Sequence, residues 1–352
     1  MHLDSIHPYL QERASRNEFS GVVRIDVAGK TVLREGYGWA SRAWRVPCTP
    51  ATRFDTASIT KLFTAVAVLQ QVELGAFALD TAVTSFLTEL DGTTISSRVT
   101  PYQLLTHTSG IADDADEEAG ESYEELFVDR PNYSIRQTAD FLPQFAYKPA
   151  TFEPGTSCRY CNVAYVLLGL MVERATGTTY RDYVQEHIFG RAGMTQSGFF
   201  SMDVVEADVA EGAEPLLDAN GEIRGWRRNI YSYPPVGSPD GGAHVTADDL
   251  VRFHGALVAG KLLGAEQTAA VLSPHENYRE RGDGMHKTGY GFEFATDTTG
   301  DVVCYWKEGI NVGVSGALSH YPRQDVTAVV LSNMEGGAWD PIAKIQALVS
   351  GS

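Results

Sequence analysis

Apolar residues concentrate in two stretches of this chain, Leu62–Leu69 and Val163–Val172. Across 58–74 they leave no polar face, so the pattern predicts a helix buried on all sides and stopped at Gly75. The second stretch predicts another, 163–176, stopped by Gly177, with a further helix over Tyr180–Phe189. Both stretches fall short of the roughly 18–20 apolar residues that cross a bilayer. Residues 2–16 read as a polar-faced helix, and Thr100-Pro101 opens one that closes at Ser109-Gly110. Thr246–Val258 and Pro341–Val349 complete the helical set. Val22–Val27 and Thr31–Tyr37 read as strands of a hairpin joined by Ala28-Gly29-Lys30. Val302–Trp306, Gly313–Tyr321 and Val326–Ser332 read as strands near the other end. Asp113–Glu125 reads as solvated acidic loop and Asp203–Gly242 as a long surface connection. Strands at both ends with helices between predict one sheet built from the two termini and interrupted by a helical lobe.

Composition narrows the function. The 352 residues carry 45 acidic against 28 basic side chains, a net charge of −17. That balance repels phosphate backbones and anionic lipid, so nucleic-acid and membrane-surface roles are set aside. Length alone suggests two or three domains. Cys48, Cys158, Cys161 and Cys304 are too few for a disulfide framework in so long a chain. Met1–Ser5 shows no basic start followed by an apolar stretch. Taken together, these features predict a reduced, cytoplasmic setting.

Several motifs fail on inspection. Gly29-Lys30-Thr31 lacks the earlier glycine of a phosphate loop, because Arg24 stands in its place. Gly36-Tyr37-Gly38 meets Ser41 where a dinucleotide fingerprint needs its third glycine, and Gly313–Ala317 lacks the final glycine of a nucleophile elbow. Cys158 and Cys161 have C-x-x-C spacing without a second pair, and no H-x-x-x-H occurs. No metal or cofactor is therefore expected.

One constellation holds. Ser58-Ile59-Thr60-Lys61 opens the apolar helix, and its spacing sets both polar side chains on one face. Lys61 then points into protein, where an ammonium needs partners or gives up its proton. A capping serine with a snorkelling lysine fits the tetrapeptide equally well. Farther on, Tyr160-Cys161-Asn162 leads into the second apolar helix, and Lys307-Glu308-Gly309 ends a strand.

Together with Leu104-Leu105-Thr106-His107-Thr108-Ser109-Gly110, these motifs make the chain resemble the serine β-lactamase and penicillin-binding-protein superfamily. Within it, the likeness is to the class C β-lactamase and family VIII carboxylesterase branch, and it runs from about Phe19 to Asn333. The resemblance implies an α+β fold of the β-lactamase/transpeptidase type, an antiparallel sheet flanked by helices plus a helical domain. Residues 1–55 and 203–352 would form the sheet domain and 56–202 the helical one, with the site in the cleft between. It implies Ser58 as nucleophile, Lys61 and Tyr160 as shared general base, and Asn162 as a hydrogen-bond partner of the acyl group. Backbone N–H groups of Ser58 and Ile310 would form the oxyanion hole, beside Lys307 and Gly309. His107 is expected to be a structural hydrogen-bonder, and Trp306 either lines the cleft or belongs to the core.

Glu308 departs from the pattern, which commonly has Thr, Ser or Gly there. Its charge would repel a substrate carboxylate unless Lys307 neutralises it. The expected partner is thus a small ester or amide, including a D-aminoacyl compound. Activity on β-lactams or D-Ala-D-Ala peptides is the alternative, and a catalytically silent binding protein on the same fold is a third reading.

Overall fold

The structure, a computed structural model, describes residues 3–116, 119–282 and 284–351. β1 (Gly21–Val27) and β2 (Lys30–Tyr37) form the expected hairpin. Ala28 and Gly29 at its tip have φ of 49° and 71°, the left-handed pair that a two-residue turn requires. Near the other end lie β3 (Glu276–Arg281), β4 (Gly284–Thr288), β5 (Glu293–Thr296), β6 (Val302–Asn311), β7 (Val314–Tyr321) and β8 (Val326–Ser332). They join the hairpin in one antiparallel sheet, ordered β2-β1-β8-β7-β6-β5-β4-β3. β1 pairs with β8 along its whole length, so the two ends of the chain do close one sheet.

Every residue of β8 is buried, because both faces of the sheet are covered. Val326, Ala328 and Val330 face α1 (Ile6–Ser15) and the closing helix α6 (Trp339–Ser350) through Ile6, Leu10, Ile345 and Val349. Val329 and Leu331 point the other way, into the larger core. The two-residue period of the strand thus divides one sequence between two cores. The larger core holds α2 (Lys61–Glu73), α4 (Asn162–Thr176) and α5 (Ala247–Val258). Residues 61–71 of α2 and 162–172 of α4 are buried without exception, as their apolar pattern requires. Gly75 and Gly177 follow their helices with φ of 72° and 70°. Among the described residues, no helix is long and apolar enough to cross a membrane.

Local differences have physical reasons. The first helix starts as a 3-10 turn at Leu3, and His2 lies outside the described residues. α3 (Pro101–Leu105) has the expected Thr100 cap, completed by Gln103, but ends early, and His107 then takes a φ of 60°. Tyr180–Val184 is helical and continues as a wider π-helical turn over Gln185–Phe189. The strands β3 to β5 carry no clean apolar alternation in the sequence. β3, at the sheet edge, reads Glu-Asn-Tyr-Arg-Glu-Arg.

Two expected surface segments are surface only in part. In Asp113–Glu125, of which Glu117 and Glu118 lie outside the described residues, Asp113 and Asp114 turn inward, and Asp114 is 2% exposed. Asp203–Gly242 contains a hairpin, Ala213–Leu217 with Ile223–Arg228, and then returns to the interior at Tyr233, Ser238 and Asp240.

Candidate active site

The loop before α2 is held under backbone constraint. Ala57 has φ 42°, a left-handed conformation costly for a residue with a Cβ, and its N–H donates to Asp55 Oδ1 at 2.7 Å. Thr56 and Thr60 both bind the Ala243 backbone, Thr56 Oγ1 donating at 2.8 Å and Thr60 Oγ1 accepting at 3.0 Å. Ser58 therefore sits in a clamped 3-10 turn, Ala57–Thr60, ahead of α2 rather than in its first α-turn as expected.

The turn aims its hydroxyl at two of the three motifs. Lys61, with no solvent exposure, donates from Nζ to Ser58 Oγ (3.0 Å), Asn162 Oδ1 (2.8 Å) and the Asp240 carbonyl (2.6 Å). Tyr160 donates from its hydroxyl to Ser58 Oγ at 2.8 Å. The Tyr160 ring lies 4.6 Å from the His107 ring, with Lys307 Nζ 4.7 Å and Lys61 Nζ 5.1 Å from its centroid.

Residues outside the motifs fix this arrangement. Asp113 receives the N–H groups of Asn162 (2.7 Å) and Val163 (3.0 Å), so a carboxylate from a distant loop caps α4 at the second motif. Lys148 Nζ donates to the carbonyls of Asp113 and Asp114. Burial raises the Asp113 and Asp114 carboxyls, and the two act on one another. His107 is the structural hydrogen-bonder expected of it: Nδ1 accepts from Cys161 N at 3.1 Å, and its carbonyl accepts from Arg159 N. Burial, then Lys307 and Lys61, push its imidazole well below the usual range, so it stays neutral.

The third motif divides its residues between the two faces of β6. Gly309 packs against the Ser58 turn, where an added Cβ would lie 2.1 Å from the Thr56 carbonyl oxygen and 3.0 Å from Ser58 N. Only glycine permits that approach. Lys307 is buried, and it forms an ion pair with Glu293 at 2.9 Å. Glu308 is exposed. Its carboxyl is raised by partial burial and by Glu293. Trp306 packs on His286 and lines a cavity of about 620 Å3 on the other face of the sheet, away from Ser58.

Ser58 and Ile310 stand between two hollows. One, about 60 Å3, is lined by Ala57, Asn162, Tyr233 and Asp240 among others. The second, about 230 Å3, is lined by Tyr160, Tyr278, Arg279, Glu293, Lys307 and Glu308 among others. The arrangement thus offers a hydroxyl nucleophile with two proton-handling partners and room on either side. Asp113, Asp240 and Glu293 escaped the sequence reading. Asp240 takes the Lys61 hydrogen bond through its carbonyl, which no side-chain pattern reveals. Cys158 and Cys161 are free thiols, and no metal-binding cluster occurs among the described residues.

A sheet closed by both termini and a Ser-Lys-Tyr cluster at the edge of an apolar helix define a class. The chain belongs to the Beta-lactamase family, whose model matches residues 9–350. It is 26% identical over 326 residues to the putative penicillin-binding protein PbpX of Bacillus subtilis (strain 168), covering 91% of this chain and 72% of that one. It is 32% identical over 249 residues to esterase EstB of Burkholderia gladioli, covering 64% and 62%. The crystal structure of a penicillin binding protein from Bacillus halodurans superposes with a TM-score of 0.88 at 36% identity, over 99% of this chain and all of that one.

Proposed function

We propose that the chain is a serine hydrolase that hydrolyses small esters or amides through an acyl-enzyme at Ser58. The observation that carries the reading is the convergence of Lys61 Nζ (3.0 Å) and Tyr160 OH (2.8 Å) on Ser58 Oγ. A neutral Lys61 amine would keep two N–H bonds, to Asn162 Oδ1 and the Asp240 carbonyl, and turn its lone pair to the serine hydroxyl. As Ser58 attacks a carbonyl, its proton passes to the Lys61–Tyr160 pair, and Tyr160 returns it to the leaving group. The N–H groups of Ser58 and Ile310 would receive the oxyanion, a contribution typically worth about 3–4 kcal/mol for one donor. Water then attacks the acyl-enzyme by the reverse proton path. The small hollow suits a short acyl group, and the larger one a leaving group without a carboxylate, because Glu308 rims it.

Turnover of β-lactams or D-Ala-D-Ala peptides is the second reading. The 36% identity to a protein described as penicillin-binding, along nearly the whole chain, favours it. Parallel rates on p-nitrophenyl acetate, a chromogenic cephalosporin and D-alanyl-p-nitroanilide decide between them. The ester or anilide should be fastest, and a dominant cephalosporin rate would reverse the assignment.

A further inference from the structure

Four adjacent strands carry a row of polar side chains that ends beside Tyr160. On β3, Arg279 donates from Nε to His286 Nδ1 on β4 at 3.2 Å. An arginine can only donate, so Nδ1 is the acceptor and His286 Nε2 carries the proton it gives to Glu293 Oε2, 2.8 Å away on β5. Glu293 Oε1 then takes Lys307 Nζ of β6 at 2.9 Å. Burial alone would raise this carboxyl, but Lys307 and His286 together hold it well below the usual range. Both oxygens of Glu293 are thus engaged by the sheet itself.

Four charged side chains line the 230 Å3 hollow: Arg279 and Lys307, Glu293 and Glu308. Their charges cancel. Lys307 is the cation that stands nearest the reacting groups among them, 4.7 Å from the Tyr160 centroid, and it is already paired. We propose that Glu293 is a specificity-determining residue: by occupying Lys307 it turns this hollow toward uncharged leaving groups and against leaving groups that bear a carboxylate. The inference rests on Ser58 being the nucleophile and adds that a buried strand residue, not Glu308 alone, sets the preference.

The test compares two substrates that differ only in leaving-group charge, the acetate ester of 4-hydroxybenzoic acid and that of methyl 4-hydroxybenzoate. Wild-type kcat/KM, divided by each ester's hydroxide rate, should favour the uncharged leaving group at least tenfold. Glu293→Gln keeps a group that can accept from Lys307 while removing the competing charge. It should raise the acid-to-ester ratio of kcat/KM about tenfold or more. General damage to the fold would lower both rates and leave the ratio alone. A folded Glu293→Gln protein whose ratio stays within twofold of wild type overturns the inference. So does a wild type that takes both esters equally, a result that needs no variant. Fluorophosphonate labelling of Ser58 is run alongside. A labelled enzyme with an unmoved ratio removes only this inference, whereas an unlabelled one removes the nucleophile assignment itself.

Discussion

Two buried lysines flank Tyr160, and the protein treats them differently. Lys61 gives hydrogen bonds to a serine hydroxyl, an amide oxygen and a backbone carbonyl, and the buried carboxyls of Asp113 and Asp240 also act on it. Lys307 meets a carboxylate that is itself braced by His286. On the proposed mechanism Lys61 takes part in proton transfer and Lys307 in a fixed charge pattern, although both are buried and lie within about 5 Å of the same ring.

Alanine at each position should break the comparison most sharply. Lys61→Ala is expected to lower kcat on a neutral acetate ester by roughly a thousandfold or more, since it belongs to a unit with Ser58 and Tyr160. Adding Tyr160→Phe should then cost little further. Lys307→Ala should reduce that rate far less but cost about 3–5 kcal/mol of stability, because Glu293 keeps its buried charge and loses its cation. Equal rate losses in the two variants would remove the distinction.

Asp113→Ala should come next. It leaves two N–H groups at the start of α4 without their acceptor, at about 1–3 kcal/mol. Urea unfolding should show that loss, and kcat should fall as Asn162 shifts on Lys61. Stability should also decline in mild acid through the buried histidines. His254, against the Tyr305 hydroxyl and beside His320, has its imidazole lowered to about 3, by burial and then by His320. Its folded value lies below its unfolded one, so it stabilises the fold above the unfolded value and that contribution is lost as pH falls. Between pH 7 and 5 the loss is about 2 kcal/mol for this residue. His254→Gln should flatten the pH dependence of unfolding by that amount, and an unchanged slope would refute the assignment. The smallest effect belongs to Glu308→Thr. Because Glu308 is exposed and Lys307 is already paired, the gain in kcat/KM for carboxylate-bearing β-lactams should be about threefold, roughly 0.7 kcal/mol, with little change on neutral esters.

The proximity of Ser58 and Lys61 was legible because a helix brings residues three apart together and because an apolar surround makes a lysine conspicuous. Tyr160 and Asn162 were singled out by the family resemblance that their motif carries, ahead of the second apolar helix. That the two ends share one sheet was legible from apolar runs such as those of β1 and β8. What stayed hidden depends on long-range register. Glu293 reaches Lys307 only because it pairs opposite Trp306, one position along β6, and no local pattern encodes that. Asp113 and Asp114 sit in an acidic run in which Glu121 and Glu125 are exposed, so composition pointed to solvent while the start of α4 drew the Asp113 carboxylate inside. The Pro-Asp-Gly-Gly stretch at 239–242 reads as a turn. Its carbonyls nevertheless hold Thr64 and Lys61.

The account stands on Ser58 as the acylated residue. Incubation with a fluorophosphonate followed by peptide mass mapping tests this directly. The wild type should carry one adduct per chain on Ser58, and Ser58→Ala should carry none. An unlabelled wild type, an adduct on another residue, or full labelling of Ser58→Ala would contradict it.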